Sequence, residues 1–262
     1  MGTCVVLFAA VAATSGCEDR PSLVAIGGDR ARGTLVNYTP GFGLFDPPDP
    51  ARPTVVFIHG INPVPRAVHF TMSERLAAAL ARRFGAAFNL LGWDWNAASF
   101  VSVRPRVNDE NAVEQGHALA AALRGAGGAP SRTHLIGHSS GCIVAASAAR
   151  DLAAGGGEPP AQLTLLEPAT LYHALVFDHL AAGSSARKVE NYWSPGPSGY
   201  GREAPFDGIW NVRVAGPMPH FGVIWPLRSS HLFVVEWYLA TVAERTCPSG
   251  FNTSLLLQEV GQ

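Results

Sequence analysis

One short segment of the chain has the residue types and spacing needed for nucleophilic catalysis. Residues 137–141 read Gly-His-Ser-Ser-Gly. They follow the short run Thr-His-Leu-Ile at 133–136, typical of a buried strand, and precede the small residues of 142–150, typical of a helix. A Gly-x-Ser-x-Gly sequence between a strand and a helix places its serine on a sharp turn beside the helix N-terminus. The glycines allow close backbone approach in that turn. The pattern therefore predicts that Ser139 attacks an acyl carbon; an ordinary glycine-rich turn is the alternative.

A serine nucleophile also needs hydrogen-bond donors for the oxyanion that forms during acyl transfer. The predicted strand 54–58 ends at His59-Gly60-Ile61. The N–H groups of Ile61 and of Ser140, the residue after the nucleophile, are predicted to form this oxyanion hole. A strand-to-loop turn without a catalytic role is the alternative.

The base that accepts the serine proton has two candidates, and so does the acid that orients the base. His220 and His231 both lie between the last predicted strand and the last predicted helix. Glu167 follows the predicted strand 162–166 directly, whereas Asp207 lies 24 residues before His231 and precedes a strand. Residues that follow parallel strands share one edge of the sheet, so this placement favours Glu167 over Asp207. A surface carboxylate at a helix start is the alternative for Glu167.

The elements that must position these residues alternate between strand and helix. Such alternation predicts one α/β domain with a mostly parallel sheet that is covered by helices on both faces. The 262 residues, 47% of them hydrophobic and 15% charged, suit one large domain. Strands are predicted at 34–38, 54–58, 87–93, 133–136, 162–166, 188–193 and 211–215, and helices at 71–83, 110–124, 140–153, 169–182 and 232–244.

Several motifs resemble a known family. The segment 166–169, Leu-Glu-Pro-Ala, is similar to the Leu-Asp-Pro-Ala of the pancreatic-lipase-like branch of the α/β-hydrolases, in which the acidic residue belongs to the catalytic triad. The segment 91–95, Leu-Gly-Trp-Asp-Trp, and the Ser-Ser-His of 229–231 before an apolar helix are similar to the same branch. The chain departs from the family in having Glu for Asp, one methylene longer, and in lacking its paired cysteines and a long lid.

The resemblance implies an α/β-hydrolase fold and a triad of Ser139, His231 and Glu167 that cleaves carboxylic esters through an acyl-enzyme, without a cofactor. It favours His231 over His220 as the base. Acyl transfer, thioester hydrolysis and amide hydrolysis by the same triad remain open. So does a non-catalytic lipid-binding protein that keeps the hydrolase fold.

The segment 217–227 is unusually apolar for a connection between elements. We expect Phe221, Ile224 and Trp225 to line an acyl pocket or to contact lipid. The alternative is that they pack as ordinary core residues. A small-molecule or lipid ester is accordingly the expected substrate.

The N-terminal residues 1–17 form an apolar run of the length of a signal-peptide core. Residues 14–17, Thr-Ser-Gly-Cys, resemble a bacterial lipoprotein cleavage box in which Cys17 would carry the lipid. We therefore expect an extracytoplasmic protein, either secreted or attached to a membrane; a cytoplasmic protein with an apolar first helix is the alternative. Residues 18–52 are predicted to be an approach segment with one edge strand, and residues 53–262 the hydrolase domain.

The charge and the histidine and cysteine spacing argue against nucleic-acid binding, metal binding and redox function. The formal net charge of −1, without a block of basic residues, argues against nucleic-acid binding. His134 and His138 are four residues apart on a predicted strand, about 13 Å, which is too far to share a metal ion. There is no Cys-x-x-Cys segment, and Cys142 and Cys247 are expected to be free thiols. We expect a monomer without metal or cofactor.

Overall fold

The computed structural model describes residues 33–61, 69–99, 104–168, 174–195, 201–215 and 226–261. Several predictions lie outside these ranges: the signal segment 1–17 with Cys17, the alternative base His220, and the three residues expected to bind substrate, Phe221, Ile224 and Trp225.

The described residues form one sheet of seven strands. The sheet order is β1-β3-β2-β4-β5-β6-β7; β1 pairs antiparallel with β3, and every other pairing is parallel. The prediction of a mostly parallel sheet is confirmed. The strands are β1 Thr34–Asn37, β2 Thr54–Ile58, β3 Asn89–Asp94, β4 Thr133–His138, β5 Gln162–Leu166, β6 Val189–Trp193 and β7 Ile209–Arg213.

Four α-helices cover the sheet in the described part of the chain. They are α1 His69–Phe84, α2 Pro105–Gly125, α3 Gly141–Ala154 and α4 Pro226–Ala243. Shorter helical turns occur at Pro130–Arg132, Ala174–His179, Ala182–Ser184, Gly250–Thr253 and Leu255–Gln258.

Helices lie on both faces of the sheet, and the central strand β2 is apolar on both sides. Alternate residues of a strand face opposite sides of the sheet. In β2, Val56 and Ile58 pack in the core that contains residues of α2 and α3, whereas Val55 and Phe57 pack in the core that contains residues of α1 and α4. The β-branched and aromatic residues of this strand thus serve two apolar layers.

Element boundaries differ most at helix starts. The helix predicted at 110–124 begins at Pro105, and the helix predicted at 232–244 begins at Pro226. Proline fits the first turn of a helix, where its missing N–H needs no partner. Of the helical stretch predicted at 169–182, the described residues show the turns Ala174–His179 and Ala182–Ser184. No helix of the described residues is both long and apolar enough to cross a membrane.

A buried polar cluster joins the sheet to the C-terminal segment. Glu190 of β6 is 1% exposed, and its carboxylate lies 2.8 Å from Lys188 Nζ while accepting hydrogen bonds from Gln162 Nε2 at 2.8 Å and Thr253 Oγ1 at 2.7 Å. The Nζ of Lys188 also donates to Thr253 O at 2.6 Å. Because these hydrogen bonds link β5, β6 and the turn at Gly250–Thr253, they fix the C-terminal segment against the sheet.

His134 belongs to the same region, and its contacts explain its role. Its ring nitrogens lie 3.0 Å from Ser254 Oγ and 2.8 Å from Thr164 Oγ1. Burial, together with the charge of Lys188, lowers the pKa of His134 to about 3. The imidazole is therefore neutral at physiological pH, and it serves as a hydrogen-bonding core residue.

Candidate active site

Ser139 lies on the turn between β4 and α3, as its sequence context predicts. Its φ of 55° places a non-glycine residue in the left-handed region, and its N–H donates to Leu166 O at the end of β5 at 3.0 Å. Its carbonyl accepts the N–H of Cys142 at 3.0 Å, which closes the turn into the helix. A strained residue that is held by its surroundings is found mainly at functional sites.

Three glycines allow the backbone to approach closely around Ser139. A Cβ atom on Gly137 would lie 2.5 Å from Gly141 O, and one on Gly141 would lie 2.4 Å from Ile58 O. A Cβ on Gly60 would lie 2.7 Å from the Cβ of Ser139 itself. The glycines of the motif thus bring α3 against β4 and β2, and Gly60 brings the end of β2 against the serine.

This close approach predicts that Gly141→Ala destabilises the fold. The alanine Cβ would lie 2.4 Å from Ile58 O and 2.5 Å from His59 O. These are backbone atoms at the end of a central strand, so moving them would disturb the sheet. We expect the free energy of unfolding to fall by about 3 kcal/mol, measured by urea unfolding. Gly155→Ala, just after the same helix, is the matched control because its nearest neighbour is Leu152 O at 3.5 Å. Equal stability of the two variants would contradict the steric explanation.

Ile61 and Ser140, the predicted oxyanion donors, are brought together. Ile61 N–H donates to Ser140 Oγ at 2.7 Å, so this N–H is aimed at the turn that carries the nucleophile. Ser140 is the N-cap residue of α3, where backbone N–H groups lack acceptors within the helix. The two residues are therefore in direct contact beside Ser139, with the Ser140 hydroxyl accepting the Ile61 N–H.

His59 fixes the turn that presents Ile61. Its Nδ1 lies 2.8 Å from Gly60 O, and its Nε2 accepts the N–H of Trp95 at 3.2 Å. Trp95 in turn donates its Nε1–H to His59 O at 2.8 Å. These hydrogen bonds join the ends of β2 and β3 next to the predicted oxyanion donor Ile61.

Asp94, at the end of β3, lies against the same imidazole. Its Oδ1 is 3.7 Å from His59 Nε2 and accepts the N–H of Asn96 at 3.0 Å. Burial acts to raise the pKa of Asp94, but interactions with His59 and Asn96 outweigh it, so the pKa lies below its ordinary value. Asp94 is therefore ionised at neutral pH, and it contacts His59 and Asn96.

Glu167 lies at the end of β5, neighbouring β4, and it is fully buried. Its φ is 52°, so it shares the unusual backbone conformation of Ser139. Its two carboxylate oxygens accept backbone N–H groups, Oε2 from Ser194 at 2.9 Å and Oε1 from Gly201 at 2.9 Å. Burial raises the pKa of Glu167 to about 8, although these two N–H groups act to lower it.

The rival acid Asp207 lies elsewhere. It is exposed and precedes β7, which begins at Ile209, so it lies at the amino end of that strand. The parallel strands place Ser139 and Glu167 at the opposite edge of the sheet. Glu167 therefore lies at the same edge of the sheet as Ser139, whereas Asp207 lies at the other edge.

His231 is the sixth residue of α4, instead of the residue before the helix as its resemblance to the lipases implied. It contacts His138, the neighbour of Ser139: the ring centroids are 4.7 Å apart, and His138 Nε2 lies 3.2 Å from His231 O. The described hydrogen bonds do not join His231 to Ser139 or to Glu167. His231 is thus near the serine turn, while the hydrogen bonds of a complete triad remain a prediction.

Two features of the site were missed by sequence reasoning. The N–H donors of Ser194 and Gly201 are backbone groups of segments that follow β6, and no side-chain pattern indicates them. His138 was considered only as a possible metal ligand. Strand alternation could have found it, because His138 shares the sheet face of Ile136, on which α4 packs.

Among the described residues, no group of three or more His, Cys, Asp or Glu side chains could hold a metal ion. Cys142 and Cys247 are both buried and, as predicted, they form no disulfide bond with each other. Burial raises the pKa of the Cys142 thiol far above its ordinary value, so Cys142 is not a competing nucleophile.

The solved structures to which this chain is similar include several hydrolases. An esterase from the planctomycete Thermogutta terrifontis has 13% identity and a TM-score of 0.40, over 82% of this chain and 91% of that one. An α/β serine hydrolase without lid from Xanthomonas campestris has 16% identity and a TM-score of 0.46, over 83% and 96%. Carboxyl esterase 2 from the fungus Tuber melanosporum has 13% identity and a TM-score of 0.44, over 81% and 82%.

No curated protein matches this chain. A sequence model described as the alpha/beta hydrolase family matches residues 55–251, which include all of β2 except Thr54, the strands β3 to β7, the serine turn, Glu167 and His231. This match spans most of the chain and agrees with the sheet order and the strand-to-helix serine turn. The chain therefore belongs to the alpha/beta hydrolase family.

Proposed function

We propose that this protein hydrolyses carboxylic esters, with Ser139 as the nucleophile. The observation that carries the proposal is the conformation of Ser139, which has a φ of 55° on the turn between β4 and α3. This turn holds the serine against Gly60 and beside Ile61 and Ser140. A serine so placed at the carboxyl edge of a parallel sheet can meet a substrate carbonyl and its oxyanion donors together.

In the proposed reaction, Ser139 Oγ attacks the ester carbonyl carbon while His231 takes the hydroxyl proton. The carbonyl oxygen becomes an oxyanion that accepts the N–H groups of Ile61 and Ser140. Because Ile61 N–H donates to Ser140 Oγ at 2.7 Å, the oxyanion must replace that hydroxyl as its acceptor. Collapse of the intermediate releases the alcohol, which receives the proton from His231. Water then attacks the acyl-enzyme while His231 takes a proton from it, and His231 returns this proton to Ser139 Oγ as the acid is released.

Glu167 is assigned to orient His231 and to stabilise its imidazolium form. Burial raises the pKa of Glu167 to about 8 because it destabilises the ionised carboxylate. A nearby positive charge would stabilise that carboxylate, and the imidazolium of His231 would supply one. Catalytic hydrogen bonds are often long in the free enzyme and tighten when substrate binds. The proposal therefore requires the His231 side chain to reach Ser139 and Glu167 in the complex.

Covalent labelling tests the nucleophile directly. The wild-type protein should react with a fluorophosphonate probe at one site, and peptide mass spectrometry should locate the adduct on Ser139. A panel of p-nitrophenyl esters of graded chain length should give turnover, with the free acid as product. Labelling at another residue, or labelling without ester turnover, would contradict the proposal; an ester product formed with an added alcohol would indicate acyl transfer instead.

The cellular location is a second part of the proposal. We infer export directed by residues 1–17 and lipid attachment at Cys17 from the sequence of that segment. Ester substrates outside the cytoplasm and in membranes would then be accessible.

A further inference from the structure

His138 connects the nucleophile to helix α4. It precedes Ser139 in the chain and is fully buried. Alternate residues of a strand share a face, so the His138 side chain lies on the same side of β4 as Ile136. Ile136 packs in one core with Phe233 and Val234 of α4. The residue next to the nucleophile therefore points toward the helix that carries His231.

Two contacts join His138 to His231. The Nε2 of His138 lies 3.2 Å from the backbone carbonyl oxygen of His231, which fits an N–H···O hydrogen bond when the proton is on Nε2. The two rings have centroids 4.7 Å apart with planes inclined by 40°. One contact holds the backbone of His231, and the other borders the space in which its imidazole can move.

A second anchor holds α4 further along. The carboxylate of Glu236, five residues after His231, accepts hydrogen bonds from both terminal nitrogens of Arg75 in α1, each at 2.6 Å. This bidentate pair fixes the middle of the helix. The His138 contact fixes its first turns, so the two together determine the direction in which α4 presents His231.

We propose that His138 is a positioning residue, which sets the location of His231 relative to Ser139 by holding the His231 carbonyl and bordering its ring. This inference rests on the proposed function, in which His231 is the base. A misplacement of about 1 Å in catalytic groups can cost about 10²-fold in rate. Loss of the His138 contact should therefore lower kcat, while substrate binding changes little.

Two substitutions separate the hydrogen bond from the shape of the ring. His138→Gln keeps a donor, because the glutamine Nε2 reaches about as far as the histidine Nε2. His138→Leu fills similar space without a donor, and His138→Met is a second apolar variant with a more flexible side chain. With a p-nitrophenyl ester, we expect kcat to fall about 10- to 100-fold in the apolar variants with KM within about two-fold, and glutamine to restore kcat to within about three-fold.

A double variant tests whether His138 acts through His231. If it does, adding His138→Leu to His231→Ala should cost no further activity, because the positioned group is already absent. Hydrogen exchange of peptides from α4 supplies a readout besides activity. Exchange in the first turns of α4 should be faster in the leucine and methionine variants than in the wild type, and unchanged in the glutamine variant.

The outcomes separate this inference from the proposed function. Wild-type activity of His231→Ala would remove the base assignment and the positioning role with it. An inactive His231→Ala, combined with wild-type kcat in the folded leucine or methionine variant, would overturn the positioning role alone. A glutamine variant as slow as the leucine variant, or an additive loss in the double variant, would also overturn it.

Discussion

Replacing Ser139 with alanine is expected to lower kcat for ester hydrolysis by about 10⁵- to 10⁶-fold, the loss typical of removing a serine nucleophile that acts with a base. The residual rate would come from substrate binding and the oxyanion donors alone. Steady-state assays at high enzyme concentration measure the fall in kcat and the residual rate. Labelling by the fluorophosphonate probe, measured in parallel, should be lost. Ser184→Ala is the matched control, because Ser184 is exposed and precedes β6 on the opposite edge of the sheet.

A second inactive variant separates loss of chemistry from loss of fold. Ser139 has a φ of 55°, a conformation that costs a non-glycine residue about 1 kcal/mol or more. Ser139→Gly should therefore be inactive and yet more stable to urea than Ser139→Ala. An alanine variant that keeps more than about 1% of wild-type activity would contradict the assignment of the nucleophile.

Above about pH 8, where the wild-type carboxyl group is ionised, replacing Glu167 with glutamine is expected to lower kcat by about 10⁴-fold. A carboxamide cannot stabilise the imidazolium of His231, and its N–H₂ group favours the wrong imidazole tautomer. The same change should alter how stability depends on pH. Glu203→Gln makes the same chemical change at an exposed position and is the control for both measurements.

The direction of the pH effect follows from the raised pKa of Glu167, about 8 in the folded state against an ordinary 4.5. Between these pH values the unfolded chain loses the proton while the folded protein keeps it. Rising pH therefore favours unfolding, by on the order of 4 kcal/mol over this interval, and the effect levels off above pH 8. The glutamine variant lacks this contribution.

Urea unfolding of both proteins from pH 4.5 to 9 measures the difference. At low pH the wild type should be the more stable, because the glutamine N–H₂ faces one of the two backbone donors, Ser194 N–H or Gly201 N–H, at a cost of about 1–3 kcal/mol. As the pH rises, this advantage should shrink or reverse. Parallel curves for the two proteins would show that Glu167 is ionised throughout and that its pKa is not raised.

The central strands could be predicted from the sequence because β2 is apolar on both faces and β5 has leucines at positions 163, 165 and 166. β2 and β5 begin and end where predicted, at Thr54–Ile58 and Gln162–Leu166. α4 begins six residues before its predicted start, because Pro226 is compatible with a first helical turn. Periodicity locates a helix better than it locates its first residue.

The site was predictable where a local motif defines it. The neighbours Ile61 and Ser140 follow two adjacent strands, so their meeting across 79 positions of sequence is a consequence of the parallel order. The donors to Glu167 come from 27 and 34 positions away and are backbone groups, which carry no side-chain signal. The direction of the His231 imidazole depends on the packing of α4, and no spacing in the chain specifies it.

The parallel sheet also determines when the enzyme can become active during folding. Each of its five parallel pairings joins strands through a crossover connection, and such long-range contacts form slowly. The groups of the proposed site are spread from His59 to His231, so catalysis must wait until α4 docks. Activity is therefore a late reporter of refolding, whereas circular dichroism recovers with the earlier helices. A nascent chain on the ribosome would bear Ser139 well before it acquires His231, the proposed base, so hydrolysis must wait for the later residue.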